Sequence, residues 1–104
     1  MMRIITGKAR GTKLQTLAGE ATRPTAERTK EAIFSMINFD IAGARVLDLF
    51  AGSGQLGIEA LSRGAESAVF VDADKNAVKI VKENLAKTKL DGKATVVQTD
   101  SIAF

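Results

Sequence analysis

The chain has 104 residues, a net charge of +3, no cysteine and no histidine. The absence of cysteine excludes a disulfide framework, a thiolate nucleophile and thiolate metal ligands, and the absence of histidine excludes a Ser-His-Asp triad and His-ligated zinc. Hydrophobic residues make up 45% of it, a globular and not a disordered composition, and the length allows one small domain at most. Met1 to Arg10 lacks the apolar core of a signal peptide. No apolar run approaches the ~20 residues of a membrane helix. A cytoplasmic protein with no membrane partner and no metal site is expected.

Charge is uneven along the chain. Residues 1–30 carry seven basic groups and two acidic ones, whereas residues 31–104 carry eight and ten. Basic groups that meet phosphates release counterions and drive sequence-independent nucleic-acid binding; the alternative is an ordinary solvated basic segment. Within this front part, Arg3 to Thr6 and Lys13 to Leu17 read as two short strands around Gly7 and Gly11, a basic β-hairpin. Ala18 to Ala21 is a loop. Thr25 is a helix N-cap with Pro24 just outside, and the helix runs from about Ala26 to Ile37 with Ile33, Phe34 and Ile37 on its apolar face. Residues 1–24 are therefore expected to form a basic arm, and residues 25–104 the main domain.

Ala42-Gly43-Ala44 leads into a first sheet strand, Arg45 to Leu49. A second helix follows from about Gly54 to Ser62, with Gly64 as its stop. A second strand spans Ser67 to Val71. Asp74 caps a third helix of about fourteen residues. Its buried stripe is Ala77, Val78, Val81 and Leu85, and Lys75, Lys79, Lys82 and Lys89 face water. Asp91-Gly92 turns the chain into a third strand, Ala94 to Gln98. Strands alternating with helices imply a doubly wound parallel α/β sheet with right-handed crossovers. Ligands in such sheets sit beyond the carboxyl ends of the strands. Gly52, Asp72 and Asp100 each follow one of those ends, so they converge on one rim.

The glycine turn is the densest signal. Gly52, Gly54 and Gly57 give the G-x-G-x-x-G spacing of a nucleotide-binding strand–turn–helix. Asp72 lies twenty residues after Gly52, where an acid accepts hydrogen bonds from the two ribose hydroxyls of an adenosine. Asp48, just before the turn, argues against a dinucleotide, because a pyrophosphate at a helix N-terminus wants N–H groups and no carboxylate. Two like charges at roughly 5 Å and an effective dielectric of 20 repel by about 3 kcal/mol. S-adenosylmethionine has no phosphate and carries an ammonium and a sulfonium, so the acid becomes an asset. The alternative for Asp48 is a residue that only braces the turn.

Asp48-Leu49-Phe50-Ala51-Gly52-Ser53-Gly54 resembles the first motif of Rossmann-like S-adenosylmethionine-dependent methyltransferases. Met2 to Gly11 with Lys13-Leu14, and Arg23-Pro24-Thr25 with Arg28 and Lys30 to Phe34, resemble the opening blocks of the bacterial 16S ribosomal RNA guanine-N2 methyltransferases. The resemblance runs from Met2 to about Asp100, with Asp72 where the family often has glutamate. It implies a cofactor site of Asp48, Phe50, Ala51, Gly52, Ser53, Gly54, Asp72, Ala73, Asp100 and Ser101. There Asp100 would accept from the exocyclic amine of adenine; the alternative for Asp100 is a loop acid or helix cap. The resemblance also implies an RNA surface of Arg3, Lys8, Arg10, Lys13, Arg23, Thr25 and Arg28, with ribosomal RNA or the small ribosomal subunit as partner.

In that family an Asn/Asp-Pro-Pro-Tyr-type loop after the fourth strand engages the guanine amine and stacks on the flipped base. This chain has one proline, Pro24, and no tyrosine or tryptophan, so no catalytic residue is assigned. The expectation is an amino-terminal portion of the enzyme, holding the first three strands and the cofactor-binding half, inactive alone. A non-catalytic cofactor-binding or self-associating piece, pairing as a homodimer through residues 45–49, is the alternative. A fragment of an NAD-dependent oxidoreductase is disfavoured by Asp48 and by the front block.

Overall fold

The computed structural model describes residues 3–16, 24–49 and 51–99. Arg23, Phe50, Asp100, Ser101 and the loop expected over Ala18 to Ala21 lie outside the described residues. Strands β1 (Arg45–Leu49), β2 (Ser67–Asp72) and β3 (Ala94–Gln98) form one parallel sheet in that spatial order. Helix α1 (Pro24–Ile41) precedes β1, and α2 (Gln55–Ser62) and α3 (Lys75–Thr88) make the two crossovers. Parallel neighbours cannot be joined by a tight turn, so each connection needs such a helix. The arrangement is the Rossmann-like α/β fold expected from the alternation of periods.

Most boundaries fall within a residue of expectation, and α1 does not. It starts at Pro24, so Thr25 is inside the helix and is not its N-cap. Proline is well suited to the first helical position, where its missing N–H has no intrahelical partner to lose. The helix also continues four residues past Ile37, to Ile41. The stop comes at Gly43, whose N–H donates to the Gly64 carbonyl, while the Ala44 N–H turns back to Ile41. Of the expected apolar face, Phe34 is buried, but Ile33 and Ile37 are about 40% exposed. The Asp91-Gly92 turn is a short 3-10 helix, Asp91–Lys93.

The core is centred on β2, whose Ala68, Phe70 and Val71 are inaccessible to solvent or nearly so. Ile58 and Leu61 of α2, Val81 and Leu85 of α3, and Ile4 and Leu14 of the front segment are buried with it. The stripe of Ala77, Val78, Val81 and Leu85 is buried, and Lys75, Lys79, Lys82 and Lys89 are exposed, as the 3.6-residue period requires. β1 is less covered. Leu47 pairs beside Val69 and Leu49 beside Val71, yet Leu47 is 53% exposed. Among the described residues no strand pairs with the outer edge of β1, and no helix is long and apolar enough to cross a membrane.

The basic hairpin is a chain reversal closed by a single antiparallel bridge, Arg3 to Lys13. The Ile4 N–H donates to the Thr12 carbonyl and the Gly11 N–H to the Ile4 carbonyl. Four of the intervening N–H groups turn to α2 instead of a ladder. Those of Ile5 and Thr6 donate to the Glu59 carboxylate, at 2.8 and 3.1 Å. Those of Lys8 and Ala9 donate to the Ser62 carbonyl and hydroxyl. Backbone donors that leave water must find acceptors, and here the Glu59 carboxylate and the hydroxyl and carbonyl of Ser62 supply them.

Candidate cofactor site and basic arm

The glycine turn carries the chain from β1 into α2. The Ala51 N–H donates to the Val71 carbonyl at 3.0 Å, extending the β1–β2 pairing into the turn. The Gly54 N–H then closes the turn on the Ala51 carbonyl at 2.8 Å. Gly52 and Gly54 have φ of +59° and +81°, conformations that glycine adopts without the cost a Cβ imposes. Gly54 is the N-cap of α2, and its carbonyl accepts the Ile58 N–H at 2.9 Å.

Two acids meet at this turn. Asp72, at the end of β2, accepts the Gly52 N–H on Oδ2 at 3.0 Å and the Asp74 N–H on Oδ1 at 2.8 Å. A carboxylate offers about four acceptor positions, so Asp72 braces the turn and keeps capacity for two further donors. Ala73 is exposed beside it. Asp48, near the end of β1, accepts the Gly57 N–H at 3.2 Å. Burial raises the Asp48 carboxyl from 3.8 to about 6; the Gly57 hydrogen bond opposes that rise, and the negative charge of Asp72 adds to it.

The set is rich in acceptors. Besides the two acids, Gln55 directly after the turn has a buried Oε1 with no hydrogen-bond partner among the described residues. Such a rim repels a pyrophosphate and suits a ligand that brings donors and positive charge. The set therefore suits a cationic, donor-bearing ligand better than a pyrophosphate. Among the described residues, no group of three acidic side chains is placed to hold a metal ion. Asp48, Ala51, Gly52, Ser53, Gly54, Asp72 and Ala73 are thus brought together. Phe50, Asp100 and Ser101 are outside the described residues.

Arg3, Lys8, Arg10 and Lys13 are all exposed on the front segment. Arg3 and Arg10 line a pocket of about 320 Å³ with Ile4, Ile5, Gly11 and Glu31. Arg23 lies outside the described residues, as do the side chains of Thr25 and Arg28 in α1. One front basic group is diverted. Lys30 is buried, 3.4 Å from the Glu59 carboxylate, and donates to the Arg3 carbonyl at 2.9 Å. It cannot meet a phosphate.

Glu59 is the residue that composition and motif spacing did not single out. Its carboxylate is fully buried and takes Lys30, the Arg63 Nε at 2.9 Å and the N–H groups of Ile5 and Thr6. A buried charge holds its position only when paired and hydrogen-bonded in this way. Arg63 in turn lies over the Phe34 ring, 4.6 Å from its centroid. The one signal in the sequence was that Glu59 is the only charged residue of α2.

Comparison with known proteins adds four findings. Residues 2–104 match the protein family described as Conserved hypothetical protein 95. Among individual relatives, the Bacillus subtilis protein YlbH is 51% identical over 100 residues, covering 96% of this chain and 54% of YlbH. The Haemophilus influenzae protein named Ribosomal RNA small subunit methyltransferase D is 42% identical over 104 residues, covering 99% of this chain and 54% of that protein. The solved structure of the Escherichia coli protein yhhF superimposes with a TM-score of 0.88 at 41% identity, covering 99% of this chain and 55% of that one. The chain therefore spans about half the length of these relatives.

Proposed function

The chain belongs to the family described as Conserved hypothetical protein 95, and on that premise we propose that it serves the S-adenosylmethionine-dependent methylation of a guanine exocyclic N2 amine in 16S ribosomal RNA. This chain supplies the cofactor-binding half and the RNA-directed arm. The observation that carries the reading is the meeting of Asp48 and Asp72 at a positive-φ glycine turn on the carboxyl rim of the sheet. The name of the Haemophilus influenzae relative supports the substrate class.

When bound, S-adenosylmethionine supplies a methyl group made electrophilic by its sulfonium. The chain's own residues hold and orient it. Asp72 offers its remaining acceptor positions to the two ribose hydroxyls. Asp48 sets negative charge near the cationic methionine portion. Gly52, Ser53 and Gly54 let backbone come close to the ligand. By the family resemblance Asp100 would take the adenine amine, and Phe50, Ala51, Ala73 and Ser101 would contribute to the cofactor site. Arg3, Lys8, Arg10 and Lys13, with Arg23 and Arg28, meet RNA phosphates and orient the substrate without reading sequence. No residue of this chain is assigned to the guanine amine, so the chain alone is expected to transfer no methyl group.

Calorimetry with S-adenosylhomocysteine and with NAD tests the reading. Binding of the first and not the second is expected. Asp72→Ala should weaken it by about 1–3 kcal/mol, the scale of hydrogen bonds to a charged group. Preference for NAD, or indifference to Asp72→Ala, would overturn the site.

A further inference from the structure

Asn84 is fully buried in the middle of α3, and its amide joins two segments distant from it in sequence. Oδ1 accepts the Gln15 N–H at 2.8 Å. Nδ2 donates to the Gln15 carbonyl and to the Ser53 carbonyl, each at 2.9 Å. The pair of bonds to Gln15 admits only one orientation of the amide. A flipped amide would set its NH2 against an N–H and its oxygen against a carbonyl. The docked front segment therefore dictates where the second Nδ2 hydrogen points, and it points at the centre of the glycine turn.

The turn's other bonds are made elsewhere. The Gly54 N–H goes to Ala51 and the Gly52 N–H to Asp72. The Ser53 carbonyl is left to a helix that packs beneath the turn. Gly54 also lies against that helix, where an added Cβ would fall 3.2 Å from Val81. α3 thus meets the turn by packing at Val81 and by a hydrogen bond from Asn84, and the Asn84 side chain also carries the arm.

We infer that Asn84 is a positioning residue of the glycine turn, set in orientation by the docked basic arm, so that the arm is part of what shapes the cofactor site. The functional half of this inference rests on the cofactor reading above. Asn84→Asp keeps the acceptor for Gln15 N–H and turns a carboxylate oxygen toward two carbonyls. Leu85→Val, a core truncation on the same helix with no side-chain hydrogen bond to arm or turn, is the control for lost packing. If Asn84→Asp does not fold, Asn84→Ala removes the same bonds without adding charge.

Amide hydrogen exchange of the ligand-free chain reads the result. In the Asn84 variant, exchange at Ile4 and Gly11 of the arm, at Gly54 of the turn and at Ile58 of α2, which donates to the turn, should accelerate together, by about tenfold relative to β2. Leu85→Val should change arm, turn and sheet alike. Acceleration in the arm with the turn unchanged would make Asn84 an arm anchor only and overturn the inference, as would a uniform change in the Asn84 variant. In parallel, affinity for S-adenosylhomocysteine should fall about tenfold in the Asn84 variant and stay near wild type in Leu85→Val. A wild-type chain that binds no S-adenosylhomocysteine would sink the cofactor reading, and exchange alone would then decide the positioning role.

Discussion

Gly57 lies so close to Phe70 that a Cβ at position 57 would fall 2.3 Å from the ring carbon Cε2. The third glycine of the spacing is thus a packing residue between α2 and the central strand, while Gly52 and Gly54 shape the turn. Gly57→Ala must push the Phe70 ring or lift α2. Overpacking of this kind costs about 1–3 kcal/mol. Urea unfolding should show it as a lower midpoint with an unchanged slope. A wild-type midpoint would mean that the α2–β2 contact is looser than described.

The raised pKa of Asp48 gives a second expectation. Its folded value of about 6 stands above the ordinary aspartate value of 3.8, so the folded state binds the proton more tightly than the unfolded state. The Asp48 contribution to stability is then most favourable below pH 4, falls as pH rises toward 6, and is flat above. Asp48→Asn removes that fall and retains an acceptor for Gly57. It should stabilise the chain at pH 7 by about 1–3 kcal/mol and by much less at pH 4. The same change should weaken binding of a cationic cofactor. A stability difference independent of pH would contradict the account.

RNA affinity is expected to reside in the exposed arm. Neutralising Arg3, Lys8, Arg10 and Lys13 together should flatten the slope of log affinity against log salt. Lys30→Met should act differently, because Lys30 is buried against Glu59. It should cost about 3 kcal/mol of stability and leave the salt slope of the folded fraction unchanged. An unchanged slope in the fourfold variant would move the RNA surface elsewhere.

These residues also mark what the sequence made legible. The three strands, the α3 stripe and its Asp74 cap follow from local periodicity and capping chemistry, so their bounds could be read directly. The motif spacing likewise pointed to Gly52, Gly54 and Asp72. Lys30, Glu59, Ser62 and Asn84 could not be found that way. Each looks like an ordinary polar residue of a helix. What decides its fate is a partner far along the chain, such as Ile5 for Glu59 or Gln15 for Asn84. The α1 start was misjudged because Thr25 has capping chemistry and Pro24 suits the first helical position even better.

Self-association through β1 is expected. Leu47 and Leu49 are substantially exposed, and Ile33, Ile37 and Leu56 border a groove of about 250 Å³ against the same strand. An unpaired apolar edge invites pairing with another chain. Sedimentation across concentrations should show mass rising above monomer. Leu47→Lys should restore the monomer, provided the variant keeps a cooperative melt. A monomer at all concentrations in the wild type would rule out this assembly.

The central claim, that the Gly52–Gly54 turn with Asp48 and Asp72 is an S-adenosylmethionine site, is tested most directly by titrating S-adenosylhomocysteine into isotope-labelled chain and following each backbone amide. The account predicts saturable shifts concentrated at Gly52, Ser53, Gly54, Asp72 and Ala73, weakened by Asp72→Ala and absent with NAD. Saturable shifts centred elsewhere, for instance on Ile33, Ile37 and Leu47 at the apolar groove, would contradict it, as would no shift at the solubility limit of the ligand.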